Sequence, residues 1–180
     1  MENWKILDSK YIIQQPWATL RVDRLLMPNG HVKDEYYVLE YPSWVNMVAL
    51  TDQGQMVMVK QYRHGAQQVM VELPAGVVEE EEDAAEAARR ELLEETGYAF
   101  DDCKLICQLY ANPATSGNLT YTYLLTGGKK IQEQQLDDSE DIEVLLMDID
   151  AVKTLLFENK IGQSLHAAAL FYAFNAIDPR

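Results

Sequence analysis

The stretch from Gly76 to Tyr98, GVVEEEEDAAEAARRELLEETGY, confines this chain more than any other, because it crowds carboxylates at a helix end that repels them. Asp83 can open a helix, the run from Ala84 to Leu93 favours its propagation, and Gly97 suits a left-handed stop. Glu91, Glu94 and Glu95, spaced three and four apart, then share one side of the last turns. Each like-charged pair there costs about 0.2–0.5 kcal/mol, and the negative end of the helix dipole adds roughly 0.3–1 kcal/mol per exposed charge. A hard divalent cation reverses both penalties, and clustered carboxylate oxygens suit magnesium or manganese.

The opposite side of the same helix carries Ala85, Ala88 and Leu92 at the spacing of a buried stripe, so one face turns inward and the acidic face borders a cleft. Arg90 stands four residues from both Glu86 and Glu94 and is expected to hold the acidic face in register. Glu79, Glu80 and Glu81, by contrast, read as a solvated run ahead of the helix.

Around this segment the pattern alternates strands with turns. Lys10 to Ile13, Ala18 to Leu26 and Glu35 to Tyr41 predict a small antiparallel sheet with a break at Met27–Gly30. Val45 to Leu50 and Gln55 to Gln61 flank Thr51–Gly54 as a hairpin. Beyond the acidic helix, Lys104 to Tyr110, Thr120 to Leu125 and Ile142 to Met147 predict strands, and Ala151 to Asn159 and Ser164 to Asn175 predict helices. Cys103 and Cys107 fit buried strand positions better than a disulfide or a metal site.

A net charge of −14 argues against nucleic acid as a partner, because phosphate backbones are bound through lysine and arginine. No apolar run reaches membrane-spanning length, and the opening MENWKILDSK lacks the order of a secretory signal, so a soluble, cytoplasmic chain is expected. With 180 residues and 48% hydrophobic content, the chain suffices for one domain with a sizeable core.

Gly76, five residues, Glu82, seven residues, then Arg90-Glu91-Leu92, Glu94-Glu95 and Gly97-Tyr98 resembles the complete signature of the Nudix hydrolases. The resemblance implies an α/β fold: an α/β/α sandwich with a mixed sheet over residues 43–180. A small N-terminal antiparallel sheet over residues 1–42 precedes it, expected to serve dimerisation and base binding within the same unit. It also implies hydrolysis of a nucleoside diphosphate linked to another moiety. Pro113, sixteen residues after Gly97, is similar to the ADP-ribose and ADP-sugar pyrophosphatase subgroup, although the surrounding Asn112–Asn118 departs from that loop's commoner form.

Residue by residue, the resemblance makes Glu91, Glu94, Glu95 and the Ala75 carbonyl ligands of Mg2+, with Mn2+ as the alternative metal. In the late acidic loop Leu136–Asp141, Glu140 is the first candidate and Asp138 the second for catalytic base, and Glu140 for a further metal ligand; Glu94 is a catalytic candidate as well. Arg63 would clamp phosphate oxygens, and Glu72 and Pro113 would contact substrate. Trp17 and Trp44 are candidates for stacking the base, with core packing as the rival role of each. His31, His64 and His166 are read as neutral or hydrogen-bonded residues outside the chemistry. The expected partner is a small-molecule nucleoside diphosphate sugar, the expected assembly a homodimer. Other outcomes are a hydrolase of another linked nucleotide, such as GDP-mannose or a dinucleoside polyphosphate, and a Nudix-fold regulator that binds without cleaving.

Overall fold

Apolar alternation along strands builds the frame. In the computed structural model, which describes residues 2–178, the chain begins with β1 (Lys5–Gln15), β2 (Ala18–Leu26) and β3 (Val32–Glu40). It continues through β4 (Trp44–Thr51), β5 (Gln55–Arg63), β6 (Gln68–Glu72) and β7 (Ala75–Val77) to the helix α1 (Ala84–Thr96). Strands β8 (Tyr98–Ala99), β9 (Asp102–Tyr110), β10 (Leu119–Lys130) and β11 (Ile142–Asp148) follow, then α2 (Ile149–Phe157) and α3 (Ser164–Ile177). The chain divides into two units, one formed by residues up to Pro42 with Tyr110–Leu119, the other by Ser43–Leu109 with Thr120 onward.

In the first unit, β1, β2 and β3 form an antiparallel sheet with β2 in the middle. Val22 and Leu25 are buried there, and buried Asp23 accepts hydrogen bonds from Arg21 Nε at 2.8 Å and Ser9 Oγ at 2.6 Å. The 110–119 segment attaches to β3, where Leu39 N donates to Thr115 O at 2.7 Å and Tyr36 Oη to Ala114 O at 2.6 Å. Every residue of β1 is exposed.

The second unit carries a mixed sheet with the order β11-β5-β4-β10-β8, parallel only between β4 and β10; β6, β7 and β9 pair at its margins with β5, β4 and β10. Period-two alternation sends successive side chains of β4 to opposite faces. Val45, Met47 and Ala49 join Val57 and Leu125 under Ala87, Ala88 and Leu92 of α1. Val48 joins Met56 and Met58 under Val152 and Leu156 of α2 and Ala169, Leu170 and Ala173 of α3. Helices on both faces of a mixed sheet make this the expected α/β/α sandwich, and no described helix is long and apolar enough to cross a membrane.

Several local expectations gain detail, and one changes. The inward stripe of α1 holds Ala88 and Leu92 fully buried, as expected, with Ala85 half-buried against the same core and Ala87 buried as well. Cys103 and Cys107 lie on β9 as free thiols, half-buried rather than enclosed, since β9 pairs at the margin. Trp44 is the first residue of β4, in the larger sheet. His166, within the helix expected over Ser164–Asn175, is buried inside α3.

Candidate active site

Helix α1 forms where its caps dictate. Asp83 Oδ1 accepts from Ala85 N at 2.9 Å and Glu86 N at 3.4 Å, and Gly97 ends the helix at φ 76°, its N–H donating to Leu93 O. Those limits place Glu91, Glu94 and Glu95 in the last two turns, with Glu95 buried, Glu91 half-buried and Glu94 the most open of the three.

Arg90 organises the acidic face through Glu94, as expected, and through Glu82, Glu91 and Val77 in place of Glu86. Its guanidinium donates twice to the Glu82 carboxylate, both at 2.9 Å, and also to Glu91 Oε1 at 3.0 Å, Glu94 Oε2 at 3.2 Å and Val77 O at 3.1 Å. Glu86 takes no part, because the planar fork turns back toward the loop preceding the helix instead of along it. The bidentate pair holds Glu82 below the usual carboxylate range and raises the already high pKa of Arg90.

The Leu73–Gly76 crossing brings the main chain onto the same face. Pro74 O accepts from Met47 N at 3.0 Å, and β7 pairs Ala75 with Asn46 and Gly76 with Val45. Ala75 N then donates to Glu95 Oε2 at 3.2 Å. Glycine at position 76 leaves room for Glu91 to sit where it does: a Cβ there would stand 2.0 Å from Glu91 Cδ.

Burial pushes the Glu95 carboxyl up to about 8; the charges of Glu91 and Glu140 push the same way, against the Ala75 hydrogen bond and the Arg63 charge. Burial likewise raises Glu91, opposed by Arg90. Glu95 is therefore the group on which Ala75, Glu91, Glu140 and Arg63 all act, with Ala75 in direct hydrogen-bond contact. Glu140 is exposed, and its Oε2 accepts from Asp137 N at 3.0 Å, while Asp138 is exposed in the same loop. Among the described residues no three His, Cys, Asp or Glu side chains converge as a ready-made metal group. Arg90 draws Glu91 and Glu94 aside, and Glu140 folds onto its own loop. The donors are nonetheless all oxygens, so the set fits a hard dication.

Arg63 and Glu72 form a unit that sequence spacing did not show. Glu72, expected to touch substrate, is fully buried, and its Oε2 accepts from Arg63 Nε at 2.9 Å and Gln61 Nε2 at 3.3 Å. Its Oε1 is buried without a hydrogen-bond partner. The Arg63 side chain remains 41% exposed, so one edge of the guanidinium is tied down while the rest faces outward. Gln61 was missed, although two-residue alternation puts it on the same face of β5 as Arg63. Gln134 was also missed: its Nε2 donates to Glu95 O at 2.7 Å and Ile142 O at 3.0 Å, and no motif signals a side chain acting on main-chain carbonyls. Trp17 and Pro113 belong to the other unit, Trp17 65% exposed in the β1–β2 turn and Pro113 in the 110–119 segment. Trp44 is half-buried beside Val77 and Thr120.

Comparison with known proteins gives two family matches: the NUDIX domain over residues 41–167 and the nucleoside diphosphate sugar hydrolase N-terminal domain over residues 4–39. An ADP-ribose pyrophosphatase of Bacillus subtilis (strain 168) is 30% identical over 169 residues, covering 93% of this chain and 91% of its own. A methanol dehydrogenase activator of Bacillus methanolicus is 29% identical over the same length and coverage. Among solved structures, an ADP compounds hydrolase superposes with a TM-score of 0.87 at 19% identity, covering 98% of this chain and 95% of that one, a likeness of fold.

Proposed function

Because the chain belongs to the Nudix family, we propose that it hydrolyses the diphosphate of ADP-ribose or a related nucleoside diphosphate sugar, giving a nucleoside monophosphate and a sugar phosphate. The observation that carries this reading is buried Glu95, set against Glu91, Glu140 and the Ala75 main chain with Arg63 nearby. The full-length likeness to an ADP-ribose pyrophosphatase supports the substrate class.

Nudix hydrolases generally use a divalent metal. In this chain Glu91, Glu94, Glu95, Glu140 and the Ala75 carbonyl would hold Mg2+ or Mn2+, which when bound lowers the pKa of water and neutralises phosphoryl charge. The protein's own groups do the rest. Arg90 fixes Glu91 and Glu94 by ion pairs that leave their remaining lone pairs available. Arg63, tethered through Glu72, offers its free edge to the diphosphate and orients it for in-line attack. Glu140, with Asp138 as second candidate, accepts the proton of the attacking water. Trp17, which is exposed, is proposed to stack the base, worth about 1–3 kcal/mol, with Trp44 as the alternative, and Pro113 is proposed to contact substrate.

A homodimer agrees with the open face of β1, where Ile6, Leu7, Tyr11, Ile12 and Ile13 are exposed on an edge strand. Light scattering at micromolar concentration should give twice the 20.6 kDa of one chain.

The test is chromatographic: protein with magnesium and ADP-ribose, ADP-glucose, GDP-mannose or a dinucleoside polyphosphate, alongside Glu95→Gln. Monophosphate from ADP-ribose or an ADP-sugar, abolished in a folded Glu95→Gln, is expected. Normal turnover in that variant would refute the role of Glu95, and ligand-dependent thermal shifts without cleavage would identify a binding protein.

A further inference from the structure

We infer that Gln134 is a positioning residue, whose amide clips the neck of the late acidic loop to the end of α1 and so sets where Glu140 stands relative to Glu95. The inference rests on the hydrolase reading above.

The last carbonyls of a helix lack intrahelical donors and take them from whatever passes. At the end of α1 the chain following β10 supplies two of them, Gln135 N donating to Glu94 O at 2.9 Å, and just past the helix Ile131 N donates to Gly97 O at 2.9 Å. Gln134 is the second of the two, donating to Glu95 O 2.7 Å away, and spends its other amide hydrogen on Ile142 O at 3.0 Å. Ile142 opens β11, so one half-buried nitrogen joins the helix carrying Glu95 to both ends of the 135–141 segment. Beyond Gln135 the loop's hydrogen bonds are internal, Glu140 N to Asp137 O at 2.9 Å and Asp137 N to Glu140 Oε2 at 3.0 Å. The small Asp137–Glu140 turn is therefore a rigid tip on a neck that Gln134 closes.

The residue type fits the task. A primary amide carries two hydrogens on one planar nitrogen and can serve two carbonyls at once. Leucine keeps the bulk and loses both donors. Asparagine keeps the donors but is one methylene short of carbonyls already at 2.7 and 3.0 Å.

The experiment compares wild type, Gln134→Leu and Gln134→Asn in turnover of ADP-ribose with magnesium, adds Gln134→Leu to Glu140→Gln, and follows amide hydrogen exchange in the metal-free proteins. A misplaced catalytic group costs on the order of 10–100-fold in kcat with KM little changed, and that is expected of both single variants. In the Glu140→Gln background the Gln134 change should cost nothing more, since both act on the same step. Exchange should quicken at 136–141 while the amides of α1 stay protected. Multiplying losses, unchanged kcat, or α1 opening together with the loop would overturn the inference. Should wild type cleave none of the substrates, the hydrolase reading falls first, and exchange alone decides whether the clip holds the loop.

Discussion

At the scale of single residues, the site depends on contacts that cost little in stability and much in position. Gly76 is the clearest case. The atoms a Cβ would meet are Glu91 Cδ at 2.0 Å and Cγ and Oε2 at 2.3 Å, the far end of a flexible side chain. Gly76→Ala can therefore be accommodated by swinging Glu91 away, at about 1 kcal/mol, while the carboxylate leaves its place. The expected result is a loss of only about 1 kcal/mol in chemical denaturation with at least about a tenfold loss of magnesium affinity by calorimetry. Unchanged affinity would show that Glu91 has a second productive position. The glycine and carboxylates were legible in the sequence because their spacing is fixed along a single helix and its lead-in loop. Glu72 beneath Arg63 was not, because that pairing arises only when β6 folds back on β5 and aligns Arg63 with Gln68 and Val59 with Glu72.

At the scale of elements, α1 is the part of the fold that its own sequence specifies most completely, and its two ends should differ in sensitivity. Loss of the Asp83 side chain removes one cap, and Asp83→Ala should cost about 1 kcal/mol in chemical denaturation. At Gly97 two costs combine: φ is 76°, and a Cβ would stand 2.2 Å from Gln132 O, a main-chain atom that cannot turn aside. Gly97→Ala should therefore cost more than about 2 kcal/mol, and equal losses at the two ends would contradict this account of the stop. The same logic explains which elements could be read beforehand. The hairpin over Thr51–Gly54, both late helices and the longer strands carry enough periodic residues to announce themselves. With five, three and two residues, β6, β7 and β8 are too short for a period and exist only by pairing with β5, β4 and β10.

At the scale of the whole molecule, two buried groups set opposing pH dependences. Burial lowers His166 to about 3, with the Arg63 charge acting the same way, so the imidazole stays neutral in the fold and gains a proton only on unfolding. Its contribution is full above about 6.5 and is lost as pH falls toward 3, with a slope approaching about 1.4 kcal/mol per pH unit. Glu95, raised to about 8, does the reverse: below 8 the folded state holds a proton that the unfolded chain releases down to 4.5, so stability grows as pH falls through that window. Glu91 acts in the same direction as Glu95, whereas Asp23 and Glu82, held low by Arg21 and Arg90, contribute stability that is full above their ordinary range and is lost only as pH falls below it. Metal-free protein should accordingly gain stability from pH 8 to 6.5 and then level off as the His166 loss cancels the Glu95 gain. Glu95→Gln should expose a decline below pH 6.5, and His166→Gln should let the gain continue to about 4.5. Urea titrations across pH in a chelating buffer measure all three curves, and magnesium added above pH 8 should restore in the wild type what ionising Glu95 removes. If the wild-type and Glu95→Gln curves ran parallel, Glu95 would titrate as an ordinary carboxylate, and its burial would carry no weight in the pH dependence of the fold.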